Sequence, residues 1–199
     1  SIDDALEGAN DIVAEIISET ANAREFLRDF MVSTGEMISK VVDDKKDERS
    51  KFEQYYDYHE AVSAFRGHRF LAIRRGEKEG FLRSEIAVDE DTAVAKILAI
   101  MNCRPGTPYA EALSEAARDA FERLLASSIE SDVRVDLKQT ADREAVDVFA
   151  QNVENLLLAS PLGAESVIGI DPGIRTGCKV AAVDKTGKYL DNTVIFPQT

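Results

Sequence analysis

Hydrophobic residues recur with helical spacing along most of this 199-residue chain, and the pattern ends near residue 160. It is clearest where apolar side chains return at every third or fourth position, at Ala9, Ile12, Val13, Ile16 and Ile17. Similar stripes run through residues 23–31, 94–101, 113–125 and 146–157. This spacing places apolar side chains on one face of a helix, so it predicts a series of helices with that face buried.

The character of the sequence changes after Ser160-Pro161-Leu162-Gly163. Three short runs rich in β-branched residues follow at 166–170, 179–184 and 189–196, with a turn sequence at 185–188 between the last two. Such runs separated by turn residues predict β-strands joined in hairpins. We therefore predict a mainly α chain with a small antiparallel β portion, in which residues 1–160 form a helical scaffold and 161–199 begin a second domain.

Shorter sequence patterns within the helical part predict a turn, a strand and two helix starts. Residues 66–88 are expected to contain a turn, marked by Gly76 and Gly80, followed by a short strand at 81–88. Asp89 or Asp91 is a suitable N-cap for the next helix, since a carboxylate accepts from the free N–H groups of the first turn. Thr107 and Pro108 predict the start of a further helix, as cap and first helical residue.

The chain is acidic, with a formal net charge of −13. Since affinity for nucleic acid comes largely from cations that neutralise phosphates, strong binding over the whole surface is excluded. Residues 66–83, here called the basic segment, are the exception, with six basic residues against two acidic ones. Its candidate nucleic-acid-binding residues are Arg66, Arg69, Arg74, Arg75 and Lys78. The alternative, which we favour, is that these cations pair with nearby carboxylates.

The two cysteines, Cys103 and Cys178, are far apart and neither belongs to a CxxC pair. A disulfide framework and a zinc site are therefore not expected. No run of apolar residues is long enough to span a bilayer, so no membrane partner is expected. These features favour a reducing cytoplasm, and nothing in the sequence indicates a cofactor.

The segment Gly169-Ile170-Asp171-Pro172-Gly173-Ile174-Arg175-Thr176-Gly177 carries the clearest functional signal. A buried strand that ends in Asp and runs into glycines places a carboxylate at the rim of a sheet, with backbone close beside it. Two fold families use such an arrangement. In RNase H-like nucleases the Asp binds a catalytic divalent metal, and in actin-like ATPases a related hairpin holds phosphate.

The residues around this segment are more specific. Residues 168–184 together resemble the opening of the YqgF-type, RNase H-like domain of the Tex family. Upstream, Phe121-Glu122-Arg123-Leu124-Leu125 and Phe149-Ala150-Gln151-Asn152 resemble the helical region that precedes this domain in Tex proteins. Arg74-Arg75-Gly76-Glu77-Lys78-Glu79-Gly80 is also similar. The likeness covers most of the chain, although the first 40 residues contribute little to it.

The resemblance implies a fragment of a cytoplasmic, bacterial transcription accessory protein that binds nucleic acid. In the whole protein, RNA and DNA would be bound through other modules, and RNA polymerase would be a further partner. The present chain would then hold the central helical scaffold and the first three strands of a truncated RNase H-like domain. Its expected role is to position those modules and to offer surface to the polymerase.

The alternative is a metal-dependent nuclease of the RNase H or RuvC-like type. Cleavage with two metals needs several carboxylates around cations about 4 Å apart. Asp171 is one candidate, whether active or vestigial, but the family fold supplies the others from a later strand and a later helix. Asp184 and Asp191 are not expected to meet it. We therefore expect no metal site, no catalytic residue and no enzyme activity in this chain, with Asp171 a metal ligand only in a complete, active domain.

Overall fold

The computed structural model describes residues 2–196. Contacts divide the chain into two compact units, Ser1–Phe149 and Ala150–Thr199. The first unit contains helices α1 (Ile2–Glu19) and α2 (Ala21–Thr34), strands β1 (Glu36–Val41) and β2 (Asp57–Ala61), helix α3 (Gly67–Lys78), strand β3 (Leu82–Ala87), and helices α4 (Glu90–Ile100) and α5 (Ala110–Asp119). A π-helical segment (Ala120–Leu125) leads into α6 (Ala126–Leu157). The mainly α prediction is confirmed.

The first unit contains a three-stranded antiparallel sheet in the order β2-β1-β3. The sequence predicts only β3 and does not predict β1 or β2. One side of β1 is buried through Met37 and Ser39, and the Ser39 hydroxyl donates to the carbonyl oxygen of Tyr55 at 2.9 Å. A buried serine at the centre of a six-residue strand interrupts the apolar alternation that identifies strands in a sequence.

The two helix starts predicted from capping residues have different outcomes. The Asp89 carboxylate accepts from the backbone N–H of Thr92 at 2.9 Å and caps α4, as predicted. The predicted helix start at Thr107 and Pro108 is wrong, because α5 begins at Ala110. Instead of accepting from the helix, the Thr107 hydroxyl donates back to the carbonyl oxygen of Arg104 at 3.2 Å, in a turn that precedes α5.

The core of the first unit follows α5, the π segment and α6 without a break. Buried residues recur every fourth position at Ala117, Phe121, Leu125, Ile129 and Val133. Four residues make more than one full turn of an α-helix but slightly less than one turn of a π-helix, so the π segment keeps the first of these side chains in line. They pack in one cluster with apolar residues of α1 to α4.

The second half of α6 differs from its predicted form. The stripe at 146–157 is predicted to face a core, but Val146, Phe149, Leu156 and Leu157 are all exposed, Leu157 to 80%. The periodicity correctly assigns these residues to a helix. It carries no information about whether another element covers the apolar face, and that is why the burial prediction is wrong.

The second unit contains strands β4 (Val167–Asp171), β5 (Cys178–Val183) and β6 (Tyr189–Ile195), which form an antiparallel sheet in that order. All three strands lie where they are predicted, but β4 is not the buried strand that the sequence predicts, since Ile168 and Ile170 are 67% and 61% exposed. A hairpin turn joins β5 and β6, and Gly187 adopts a positive φ of 81° in it. The predicted domain boundary near residue 160 stays a prediction, since the division between the two units falls inside α6. No helix within residues 2–196 is long and apolar enough to cross a membrane.

Candidate functional site

The basic segment forms α3 and the start of β3. Phe70, Ile73 and Gly76 face the core, which leaves the opposite side of the helix to solvent. Two of the five candidate cations have carboxylate partners. Arg69 lies 2.5 Å from the Glu60 carboxylate, and Arg74 lies 2.7 Å from that of Glu77.

The pairing of Arg69 is part of a small network under the sheet. The Tyr58 hydroxyl donates to Glu60 at 2.5 Å, and Arg69 also reaches this hydroxyl at 3.4 Å. Burial, followed by the nearby Glu60 carboxylate, raises the pKa of Tyr58. The hydrogen bond to Glu60 likewise raises the pKa of Arg69. Arg69 is therefore held as a charged structural residue that links α3 to β2.

The other three candidate cations, Arg66, Arg75 and Lys78, are exposed. They have no hydrogen-bond or ion-pair partner among the side chains of residues 4–196. The two acidic residues of the same segment are both engaged. Glu79 accepts from Lys51 at 2.8 Å, and Glu77 accepts from Arg74 and from the Ser84 hydroxyl. The structure thus separates the basic segment into paired and unpaired cations.

Arg134 of α6 also reaches this region, and no pattern in the sequence indicates its role. Its guanidinium donates to the carbonyl oxygen of Ser84 at 2.5 Å and to the Glu130 carboxylate at 2.8 Å. Glu130 in turn accepts from the backbone N–H of Ile86 at 3.0 Å. Two side chains one turn apart therefore satisfy the outer backbone groups of β3, an edge strand that would otherwise be open to pairing.

Asp171 ends β4, as the sequence predicts, and the chain then turns back through residues 172–177. Gly177 has a φ of 77°, and a Cβ there would lie 2.6 Å from Val194 and 2.8 Å from Phe196. Only glycine fits this position, because both the backbone conformation and the space exclude a side chain. The turn thereby brings β5 back beside β4 and sets the position of the residue opposite Asp171.

That residue is Lys179, whose ammonium nitrogen lies 4.0 Å from the Asp171 carboxylate. Both side chains are largely exposed. Within residues 4–196 no three His, Cys, Asp or Glu side chains are grouped so that they could hold a metal ion. One carboxylate facing an ammonium group does not fit a divalent cation, which prefers several oxygen ligands. The described residues therefore do not form the metal centre of an RNase H-like nuclease.

The other two carboxylates of the sheet lie away from Asp171. Asp191 pairs with Ala182, which lies three positions and about 10 Å along β5 from Lys179 and faces the other side of the sheet. Asp184 lies at the opposite end of the sheet. Its carboxylate accepts from the hydroxyl and backbone N–H of Thr186 and from the N–H of Lys188, and these bonds lower its pKa. It is a turn residue, and the expectation that neither carboxylate meets Asp171 is confirmed.

Comparison with known proteins matches nearly the whole chain. The family described as "Tex central region-like" matches residues 1–149, and "Tex protein YqgF-like domain" matches residues 165–199. The chain belongs to the Tex family. Protein tex of Bordetella pertussis is 37% identical over 206 residues, covering 97% of this chain and 26% of the relative. The transcriptional accessory protein Tex of Neisseria gonorrhoeae is 35% identical over 200 residues, covering 96% of this chain and 26% of the relative.

A human relative, S1 RNA-binding domain-containing protein 1, is 26% identical over 208 residues, covering 98% of this chain and 21% of the relative. The chain thus spans about a quarter of the length of the curated relatives it matches. Membership of the Tex family agrees with the resemblance read from the sequence.

Proposed function

We propose that this chain is a structural scaffold of a cytoplasmic transcription accessory protein that binds nucleic acid. It positions the RNA- and DNA-binding modules of that protein, offers surface to RNA polymerase, and catalyses no reaction itself. The names of the Neisseria and human relatives, which mention transcription and RNA binding, support the nucleic-acid part of the proposal.

The observation that carries the scaffold role is the unbroken helical segment from Ala110 to Leu157. At 1.5 Å per residue this segment is about 70 Å long. Its first part is fixed in the core through Leu125, Ile129 and Val133, and Ala141 is also buried. A long helix that is anchored in a core is a stiff support to which other modules can be attached, and a scaffold requires such a support.

The scaffold role predicts how binding is shared within the longer protein. Binding of labelled RNA and DNA over a range of salt concentrations is compared between this chain and the longer protein that contains it. We expect the longer protein to bind far more tightly and with a steeper salt dependence, because its additional modules contact more phosphates. If the chain alone accounts for the affinity at physiological salt, it is a binding module and not a scaffold.

A helix-breaking variant tests the long helix itself. Gln151 is exposed in α6, and Gln151→Pro removes a backbone hydrogen bond and clashes with the preceding turn, which costs about 3 kcal/mol. We expect the longer protein that carries Gln151→Pro to have a smaller effect on transcription than the wild type and an unchanged affinity for RNA. Gln151→Ala is the matched control and should retain both. An unchanged transcriptional effect in the proline variant would contradict the scaffold role.

A metal-dependent nuclease remains the second candidate, because Asp171 lies at the end of β4 beside a glycine turn. Lys179 lies opposite this carboxylate, and Asp191 on β6 lies on the other face of the sheet. Catalysis would therefore require carboxylates supplied from outside the described residues.

A further inference from the structure

We propose that the outer face of α3, with its unpaired cations Arg75 and Lys78, contacts the phosphodiester backbone of a nucleic acid together with the unpaired Arg66 that precedes the helix. This inference rests on the proposed function, in that the chain is taken to work within a protein that binds nucleic acid. It adds a contact surface within the scaffold itself, in addition to the binding modules.

The charges around α3 support this assignment. Glu79 is held by Lys51, and Glu77 is held by Arg74 and the Ser84 hydroxyl, with Arg134 at 3.5 Å. Glu79 is neutralised by Lys51, which lies outside the basic segment, and Glu77 is neutralised by Arg74, which is not one of the three unpaired cations. The positive charge of the exposed face is therefore left without a local partner, although the chain as a whole has a net charge of −13.

The geometry suits an extended polyanion. Arg75 and Lys78 are three residues apart and so lie next to each other on the helix surface, opposite the buried Phe70 and Ile73. Arg66 immediately precedes the first turn. The distance along the axis from residue 66 to residue 78 is about 18 Å. One strand of a nucleic acid places about five phosphates along that length, so Arg66 at one end and the Arg75–Lys78 pair at the other would reach different phosphates.

A purely structural role for these residues makes a different prediction. Arg75 and Lys78 lie in the last turn of α3, where cations interact favourably with the negative end of the helix dipole. If that were their only role, their removal would lower stability and leave nucleic-acid binding unchanged. Both quantities are therefore measured on the same variants.

The test compares two triple variants of this chain. In the first, Arg66, Arg75 and Lys78 are all replaced by Gln. The control replaces three cations that are exposed and unpaired among the side chains of residues 4–196, namely Lys96, Arg104 and Arg143, by Gln. Both lose the same formal charge. Binding of labelled single-stranded RNA, single-stranded DNA and duplex DNA is followed by fluorescence anisotropy from low salt upward, and folding by circular dichroism.

We expect wild-type binding that is weak and strongly salt-dependent. The α3 variant should bind at least about fivefold more weakly than the wild type. The slope of its plot of log affinity against log salt concentration should be smaller in magnitude by about 2, because each lost phosphate contact reduces this slope by about 0.7–0.9. The control should stay within about twofold of the wild type. The three probes identify which nucleic acid is preferred.

Three results would overturn the inference. These are no binding by the wild type, equal losses in both variants, and displacement of the oligonucleotide by polyglutamate as effective as by unlabelled nucleic acid. The last result would indicate an acidic protein partner. None of them bears on the scaffold role, which is tested separately by the Gln151→Pro variant in the longer protein.

Discussion

The replacement of Gly67 by Ala should destabilise the first unit, even though alanine is the better helix former. Gly67 begins α3 where this helix meets α6. A Cβ at this position would lie 2.8 Å from the Cα and 3.1 Å from the Cβ of Ala141, and 2.4 Å from the carboxylate of Glu144. Glu144 can rotate away, but Ala141 is 1% exposed and its Cα belongs to the backbone of α6. The contact can be relieved only if one helix moves.

The size of the effect follows from these distances. Ordinary contact begins near 3.4 Å, so the two helices must separate by about 0.6 Å, which is 3.4 minus 2.8. Overpacking of this kind costs about 1–3 kcal/mol. Within a helix alanine is more favourable than glycine by up to about 1 kcal/mol, and this gain is smaller at a terminal position, so it offsets only part of the overpacking cost. We therefore expect a net loss of about 1–2 kcal/mol and a fall in Tm of about 2–8 °C.

A matched control is available in α1. Gly8 is exposed, and a Cβ there would have nothing within 4 Å. The same substitution, Gly8→Ala, should therefore stabilise the chain by about 0.5–1 kcal/mol through helix propensity alone. Urea unfolding followed by far-UV circular dichroism measures both. The reasoning is refuted if Gly67→Ala is as stable as the wild type while Gly8→Ala shows the expected gain, since the close contact between α3 and α6 would then not exist.

Three further predictions test other parts of the structure. Arg134→Ala should lower the free energy of unfolding in urea by about 1–3 kcal/mol, because it leaves the Ser84 carbonyl without its donor and the Glu130 carboxylate without its cation at the edge of β3; a loss below a few tenths of a kcal/mol would contradict this role. Leu125→Ala should cost about 2–5 kcal/mol and Leu157→Ala less than about 0.5, since only the first side chain is buried; equal losses would show that the end of α6 is covered. Because its hydrogen bonds lower the pKa of Asp184, the ionised carboxylate should stabilise the β5–β6 hairpin at pH values above the pKa of Asp184 in the unfolded chain. This stabilisation should disappear as the pH falls through the pKa of Asp184 in the folded chain. An NMR titration that gives Asp184 an ordinary or raised pKa would exclude it.

The elements that sequence reasoning predicts correctly are those whose signal is local. The α4 cap is one example, because Asp89 and the N–H it binds are three residues apart. The β5–β6 hairpin is another, because its turn is formed by consecutive residues that include Gly187. A sequence displays interactions of this range directly, so no knowledge of the rest of the fold is needed.

Prediction fails where the decisive partner is distant in sequence. Strand β1 is stabilised by a buried Ser39 that donates to Tyr55, and no apolar alternation marks it. The stripe that contains Phe149 is helical as predicted, but its exposure depends on which elements pack against it. Periodicity identifies the residues that share a face, whereas burial is decided by tertiary contacts.

The pairing of the cations in the basic segment likewise depends on residues that are distant in sequence. The sequence identifies the basic segment and leaves open whether its cations are paired. The answer depends on Glu60, which holds Arg69, and on Glu79, which pairs with Lys51, a residue 28 positions away. Only the fold separates the paired Arg69 and Arg74 from the unpaired Arg75. The sequence places Asp171 correctly, by contrast, because its position at the end of a strand is a local property.

The central claim, that this chain supports other modules and catalyses no reaction, is tested most directly by a cleavage assay on the chain itself. Single-stranded, duplex and four-way-junction substrates are incubated with Mg²⁺ or Mn²⁺ and the wild type, Asp171→Asn, or the control Asp191→Asn, whose carboxylate lies on the other face of the sheet. We expect all three proteins to show only background cleavage. Turnover by the wild type and by Asp191→Asn that disappears in Asp171→Asn would contradict the scaffold role and identify the chain as a nuclease.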